Sequence, residues 1–194
     1  MKKIILLILL VMPSIIVVAQ SDNQPTTPEE KNNEIRIDAI GLIAFKYIDL
    51  TYENLLNEES GLGINLQFTL DGDQSENVSR IRRFSVTPFY RQYFSKKYAK
   101  GFFVEGFMLY ANNREYNYVD FIEDPVTGQF MDVYENIDFN TLALGVSVGG
   151  KFVTQRGFVA EVFLGIGRNF LEVPENLFIS EIEARGGIAL GYRF

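Results

Sequence analysis

Carboxylates and arginines at two-residue spacing are the side chains of this chain best placed for chemistry. Glu181, Glu183 and Arg185 would all lie on one face of an extended strand, because alternate side chains share a face. Two adjacent carboxylates can act as an acid–base pair or hold a hard cation. The same carboxylates beside arginines can instead form salt bridges, and we favour this second interpretation.

Charges of both signs recur at the same spacing along most of the chain. The set comprises Arg36, Asp38, Asp49, Glu53, Arg83, Arg91, Glu105, Lys151, Glu161, Glu181, Glu183 and Arg185. Opposite charges that face one another across a narrow lumen can pair, and small barrels fill their lumen with side chains. We therefore predict a structural charge network.

The composition argues against most other chemistry. The chain contains no His and no Cys, which removes the commonest general base, the thiol nucleophile and the thiolate metal site. Acidic residues between 120 and 138 do not have the spacing of a calcium loop, and we interpret them as solvated charge. We expect no enzyme activity and no catalytic, cofactor or metal site. The net charge of −7 argues against nucleic-acid binding.

The N-terminal segment is typical of a protein exported from the cytoplasm. Residues 1–19 combine Lys2 and Lys3 with an apolar run and small residues before Gln20, the pattern of a signal peptide. Residues 20–33 contain two prolines and few apolar side chains, so we predict a flexible periplasmic leader. The folded domain is predicted to cover 34–194.

Alternation of apolar and polar residues predicts an all-β domain. The eight expected strands are 34–44, 47–56, 61–71, 81–94, 101–113, 137–152, 157–170 and 179–194. Helical spacing is not sustained anywhere. The connections alternate between short and long, and an even strand number places both ends of the domain on one side. These patterns predict an eight-stranded antiparallel up-and-down barrel.

The orientation of the two faces decides the environment. A soluble barrel packs its apolar face inward, whereas a membrane barrel turns that face to lipid. Strands of about ten residues match a tilted membrane crossing. Aromatic residues fall near the ends of the apolar faces: Phe45, Phe68, Phe84 and Phe170 at one rim, and Tyr52, Phe94, Phe102, Phe152, Tyr192 and Phe194 at the other. We therefore predict a transmembrane barrel.

The closing segment 185–194 carries a resemblance to known proteins. It resembles the C-terminal assembly signal of bacterial outer-membrane barrels, with matching residues Arg185, Gly187, Leu190, Tyr192 and Phe194. The body resembles small barrels of the OmpX, OmpW and OmpA-domain type. Segments 34–38 and 50–56 are similar to the opening of an outer-membrane barrel family without a settled activity. The resemblance implies insertion by the barrel-assembly machinery, contact with outer-membrane lipid and periplasmic termini.

Three functions are compatible with these observations. The first is a structural or interaction protein, with a filled lumen and outer loops that contact a partner. The second is a narrow channel or carrier for small apolar solutes, as OmpW-like proteins are thought to be. The third is a secreted soluble lipid-binding barrel, which would need no detergent.

The longest predicted connection, 114–136, is the expected partner-binding element. Its aromatic and soft apolar residues are typical of interfaces: Tyr116, Tyr118, Phe121, Phe130, Met131 and Tyr134. Residues 118–122 and 129–134 can pair as a hairpin that extends the fifth and sixth strands. The alternative is that this segment only caps the barrel mouth.

Overall fold

A computed structural model gives the fold of the chain. It describes residues 31–44, 46–70, 80–95, 98–123, 130–171 and 181–194, with side chains omitted at 80, 116–123 and 130–135. Lys31–Phe194 form one compact unit. The predicted signal peptide, the leader up to residue 30 and Phe45 lie outside the described residues.

Eight strands and one short helix make up the unit. They are β1 (Asn33–Asp38), α1 (Ala39–Ala44), β2 (Tyr47–Leu55), β3 (Ser60–Thr69), β4 (Arg80–Tyr93), β5 (Gly101–Glu123), β6 (Phe130–Val153), β7 (Phe158–Asn169) and β8 (Ile182–Arg193). Within the described part of the chain, no helix has the length and apolar character needed to span a bilayer.

The strands form a closed barrel in which every strand pairs with its sequence neighbours. All pairings are antiparallel, and β1 closes the barrel by pairing with β8 from Glu34 opposite Arg193 to Asp38 opposite Ala189. The predicted eight-stranded up-and-down architecture is confirmed. We call the end that holds Asn33 and Phe194 the terminal side and the opposite end the loop side.

The first predicted strand, 34–44, is wrong in its second half. The chain leaves the sheet after Asp38 and forms α1. The Asp38 carboxylate accepts a hydrogen bond of 2.7 Å from the Gly41 amide, which caps the first turn of the helix. The prediction followed the apolar run and overlooked Asp38, whose residue type is favoured at the start of a helix.

The segment 114–136 is strand rather than loop over most of its length. β5 and β6 continue past the rim and pair from Glu115 opposite Ile137 to Glu123 opposite Phe130. The predicted hairpin extension is therefore confirmed for the backbone. Residues 124–129 at its tip are not described.

The polarity of the barrel is inverted relative to a soluble protein. Leu164 in the middle of β7 is 70 % exposed on the outer surface, whereas Glu105 of β5 is 0 % exposed in the lumen. The same division holds along β8, where Ile188 points outward and Glu183 inward. Apolar side chains thus form the outside and charged side chains the inside.

Phenylalanines cover glycines on the lumen side of the wall. A side chain at Gly145 would overlap the ring of Phe107, and one at Gly149 would overlap the ring of Phe103. Gly63 stands in the same relation to Phe89. The inward phenylalanines of β5 made its second face apolar in the sequence, and their packing on glycine explains that departure from alternation.

Candidate functional site

Nine buried charged residues form a connected group of ion pairs in the lumen of the described structure. We call them the lumen charge cluster: Glu34, Arg36, Glu53, Arg91, Glu105, Lys151, Glu161, Arg185 and Arg193. Each of these side chains is 9 % exposed or less. They come from every strand except β3, so the cluster exists only when the barrel is closed.

Arg91 is the centre of the cluster. Its guanidinium donates to Glu105 at 2.6 Å, to Glu161 at 2.7 Å and to Glu53 at 3.2 Å. Three strands besides its own contribute these carboxylates. A charge-assisted contact with a guanidinium fixes direction as well as distance, so Arg91 ties β2, β5 and β7 together through the lumen.

On the terminal side, Lys151 and Arg36 both bind Glu34 and Glu53. The Lys151 ammonium donates to Glu34 and Glu53, both at 2.7 Å, and also contacts the Tyr93 hydroxyl. Arg36 donates to Glu53 at 2.7 Å and pairs with Glu34. Every carboxylate of the cluster thus has a cationic partner.

Aromatic rings flank two of the arginines. The Arg91 guanidinium carbon lies 3.8 Å from the centre of the Phe103 ring. Arg185 lies 4.9 Å from Phe107 and 5.0 Å from Phe163, and it donates to Glu105 at 3.0 Å. Cation–π contact stabilises a charge that has lost its water.

Tyr98 and Ala99, in the connection between β4 and β5, pack at the terminal mouth. Arg193 donates to the carbonyl oxygens of Tyr98 at 3.2 Å and Ala99 at 2.7 Å, and to Glu34 at 2.7 Å. Ala99 is 0 % exposed and packs in an apolar cluster with Leu55, Tyr93 and Phe103. This layer lies below the charge cluster and separates it from the terminal side.

The loop-side half of the lumen is more open and holds fewer ion pairs. Arg82 pairs with Glu183 at 2.8 Å, and the Arg82 side chain is 21 % exposed. Asp49 accepts a hydrogen bond from Asn65. Asp38 and Asp49 thus have amide donors in place of the cations that bind the cluster carboxylates.

Ten of the twelve predicted network residues face the lumen, and two predictions were wrong. Arg83 is half exposed and pairs with Asp138 on the outer surface at 3.3 Å. A register shift between Arg82 and Phe84 reverses the facing, so Arg82 takes the lumen position. Glu181 precedes β8 and pairs with Arg168, both side chains being over 70 % exposed.

Sequence reasoning missed Glu34, Arg193 and Tyr93. Glu34 and Arg193 lie on the same alternating faces as Arg36 and Arg185, so strand parity alone would have included them. Tyr93 shares the face of Arg91 by the same parity, but its residue type gave no reason to include it in a charge network. Its role follows only from the contact with Lys151 and Glu53.

The predicted assembly residues divide between the two faces. Arg185 and Gly187 point into the lumen, where a side chain at position 187 would overlap the Asp38 carboxylate. Tyr192 and Phe194 are 46 % and 52 % exposed on the outer surface. Side chains of the predicted partner residues between 116 and 134 lie outside the description, which covers only their backbone pairing.

The geometry of the cluster is that of a buried ion-pair network. Its five cations and four carboxylates hydrogen-bond to one another, and aromatic rings flank the arginines at its centre. In the described residues, no group of three or more His, Cys, Asp or Glu side chains could hold a metal ion. The cluster links seven of the eight strands through the lumen.

Comparison with known proteins adds one likeness. No protein-family model and no curated protein matches the sequence. Among solved structures, the chain is similar to the crystal structure of the N-terminal beta-barrel domain of Pseudomonas aeruginosa OprF, with 12% sequence identity and a TM-score of 0.47. The alignment covers 84% of this chain and 98% of that chain. The particular family named from the sequence stays a prediction.

Proposed function

We propose that this chain is an integral outer-membrane barrel with a side-chain-filled lumen and a structural or interaction role. The proposal rests on the inverted polarity of the barrel, which has an apolar outer surface and a charged lumen. Outer side chains such as Leu164 and Val146, 70 % and 57 % exposed, would meet water in a soluble barrel. Hydrocarbon is the solvent that suits this surface, because membrane barrels turn their apolar face to lipid.

The apolar surface ends where a membrane interface is expected. On the loop side, Phe68 and Phe84 lie with ring centres 4.9 Å apart. Just beyond them, Arg83 and Arg114 pair with Asp138 on the outer surface, and the Arg114 hydrogen bond lowers the pKa of Asp138. Aromatic girdles flank a lipid band about 25 Å tall, and these exposed ion pairs fit the aqueous side of one girdle.

The contents of the lumen favour the structural role over the alternatives. A carrier for apolar solutes or a lipid-binding barrel needs an apolar cavity, whereas this lumen holds Arg91, Lys151 and their carboxylates. The layer around Ala99 packs at the terminal mouth. These features support a barrel that acts through its surface and its outer extension.

The hairpin formed by the ends of β5 and β6 is the proposed partner element. It continues beyond the pairing of β4 with β5, which ends at Arg80 opposite Glu115, and beyond that of β6 with β7, which ends at Ala143 opposite Asn169. Among the described residues, no strand of the barrel pairs with either outer edge of this two-stranded ribbon. Together with its aromatic composition, this exposure supports a protein contact.

Shortening the hairpin tests the proposal. Replacement of residues 119–133 by a short Gly-Ser linker is expected to leave the barrel folded and heat-modifiable on a gel, because the wall pairings lie below it. Co-purification of partners from outer membranes in mild detergent is expected to be lost. The matched control replaces Gln155 and Arg156 in the turn on the terminal side, which should retain them. Retention of the same partners by the shortened protein would place the contact elsewhere.

The proposed assembly segment allows a second test. Replacing Tyr192 and Phe194 with Ser is expected to reduce outer-membrane levels several-fold, with a smaller effect on the stability of protein refolded in detergent. The control replaces Phe102 and Phe152 with Ser, because these rings are 53 % and 65 % exposed on the same surface but lie outside the segment. Equal losses in both variants would show that aromatic surface, rather than an assembly signal, sets the yield.

A further inference from the structure

β1 is too short to reach the loop-side rim of the wall. It pairs with β8 only as far as Asp38 opposite Ala189, whereas β8 continues to Ile182. β2 likewise extends to Tyr47, beyond its last pair with β1. In the loop-side half of the wall, β8 and β2 therefore flank a gap the width of the missing strand. We call this gap the seam.

The seam leaves backbone groups of β8 without a strand partner. Asn33 and Phe194 exchange two backbone hydrogen bonds, of 3.1 and 2.8 Å, which identifies the hydrogen-bonded pairs of the β1–β8 ladder. At two-residue spacing from there, the N–H and C=O groups of Ile188, Gly186 and Ala184 point into the seam. In the described chain, these three residues make no backbone hydrogen bond to β1 or α1.

α1 lies in the seam, against β8 and β2. A helix is about 10 Å across, which matches two strand spacings of about 4.8 Å. Ile40, Leu42 and Ile43 are 40 %, 41 % and 60 % exposed on this helix. The helix can screen the edge of β8 from lipid, but its internal hydrogen bonds leave the β8 groups unpaired. Open sheet edges do not occur in contact with hydrocarbon, so the seam is the weak point of the wall.

We propose that residues 39–44 are a two-state segment of the wall, which covers the seam as a helix and closes it as a strand. Continuing the β1–β8 register places Ala39 and Gly41 in hydrogen-bonded pairs with Ile188 and Gly186. The β1–β2 register brings Ile43 to the tip of the extended hairpin, opposite Ala184. The open groups of Ile188 and Gly186 then have partners.

Opposing contacts keep the two forms close in free energy. The strand form gains the missing ladder hydrogen bonds, but it turns Ile40 and Leu42 toward the lumen, where Gly187 and Arg185 lie. The helical form keeps the Asp38 cap and the packing of the Tyr47 ring on Gly41. The strand form closes the wall, whereas in the helical form only α1 shields the edge of β8.

Amide exchange measured by NMR in lipid nanodiscs tests the two states. In the helical form, amides 184, 186 and 188 should exchange faster than amides 185, 187 and 189, whose hydrogen bonds go to β7. Gly41→Val should raise protection of amides 186 and 188 about tenfold or more. A branched side chain at Gly41 collides with the Tyr47 ring in the helix but suits a strand. Carbon chemical shifts of residues 39–44 should move from helical to extended values.

Ile43→Val is the control, because it exchanges one β-branched residue for another on an exposed site without a collision. It should leave the exchange pattern unchanged. Helical shifts in Gly41→Val, or no gain in protection, would overturn the proposal. So would wild-type protection of amides 184, 186 and 188 that coexists with helical shifts, since the helix would then satisfy the edge itself.

A disulfide trap keeps the proposal testable if Gly41→Val does not fold. The chain has no Cys, so Ile43→Cys with Ala184→Cys reports one contact. A hydrogen-bonded strand pair has Cα atoms about 5.5 Å apart, within disulfide range. In the helix, residue 43 falls roughly 9 Å short of that position, because it is five residues beyond Asp38 and a helix rises about 1.5 Å per residue where a strand rises about 3.3 Å. Cross-linking supports the strand form, and its absence under oxidising conditions overturns it.

Discussion

Arg91→Met is expected to lower the free energy of unfolding by about 3–5 kcal/mol, the usual cost of removing one partner from a buried ion pair. Methionine keeps most of the volume of the side chain, so the effect isolates the charge. Without Arg91, Glu105 loses its shortest contact, and Glu161 and Glu53 each lose a donor. Urea unfolding in detergent micelles measures the change.

Two further variants separate a buried network from a general loss of charge. Arg168→Met breaks a pair in which both side chains are more than 70 % exposed, and exposed pairs contribute only about 0–1 kcal/mol. Adding Glu105→Gln to Arg91→Met should deepen the loss, because Glu105 is also the carboxylate partner of Arg185. An Arg91→Met variant as stable as Arg168→Met would mean that water reaches the cluster.

The alternation of side chains between the two faces of each strand predicted most of the lumen-facing residues from the sequence. Once β8 was recognised as a strand, Glu183 and Arg185 had to share a face, and the same rule placed Glu105 and Glu161 inside. Parity is reliable here because the barrel is closed, so that each strand has only an inside and an outside.

The sequence-based predictions fail where a local contact changes the number of residues in a strand or the conformation of the backbone. The bulge at Arg82 inserts one residue and moves Arg83 outside. The Asp38 cap converts residues 39–44 from strand to helix. Neither event alters the apolar pattern of the sequence, and both depend on hydrogen bonds that only the folded backbone makes available.

The aromatic residues show a different limit of sequence reasoning. Phe68 and Phe103 are both phenylalanines within strands, yet Phe68 is 45 % exposed outside and Phe103 is 0 % exposed inside. The inward ring is explained by its partners across the sheet, Gly149 and Arg91. These partners come from other strands, so their proximity follows from register and closure rather than from local sequence.

Leu164→Arg is expected to destabilise the barrel by about 2–4 kcal/mol, the range for a cation facing lipid near the bilayer midplane. Leu164 lies halfway along β7 between outward neighbours Val162 and Ile166, and it is 70 % exposed. The arginine would face hydrocarbon there, and no outward residue of β7 is a carboxylate. The measurement is urea unfolding from phosphatidylcholine vesicles, which supply the membrane that the prediction requires.

Leu56→Arg is the matched control, because Leu56 is 54 % exposed but lies in the turn between β2 and β3 on the terminal side. Near an interface the same change costs only about 0–1 kcal/mol. Ala189 cannot serve as a control, since it is 5 % exposed in the lumen, where an arginine would overpack the interior. An exposed leucine on a soluble barrel tolerates arginine wherever it lies. Equal stability of Leu164→Arg and Leu56→Arg would therefore argue against a membrane-embedded wall, whereas a gap of about 2 kcal/mol or more is the outcome that the inverted polarity requires.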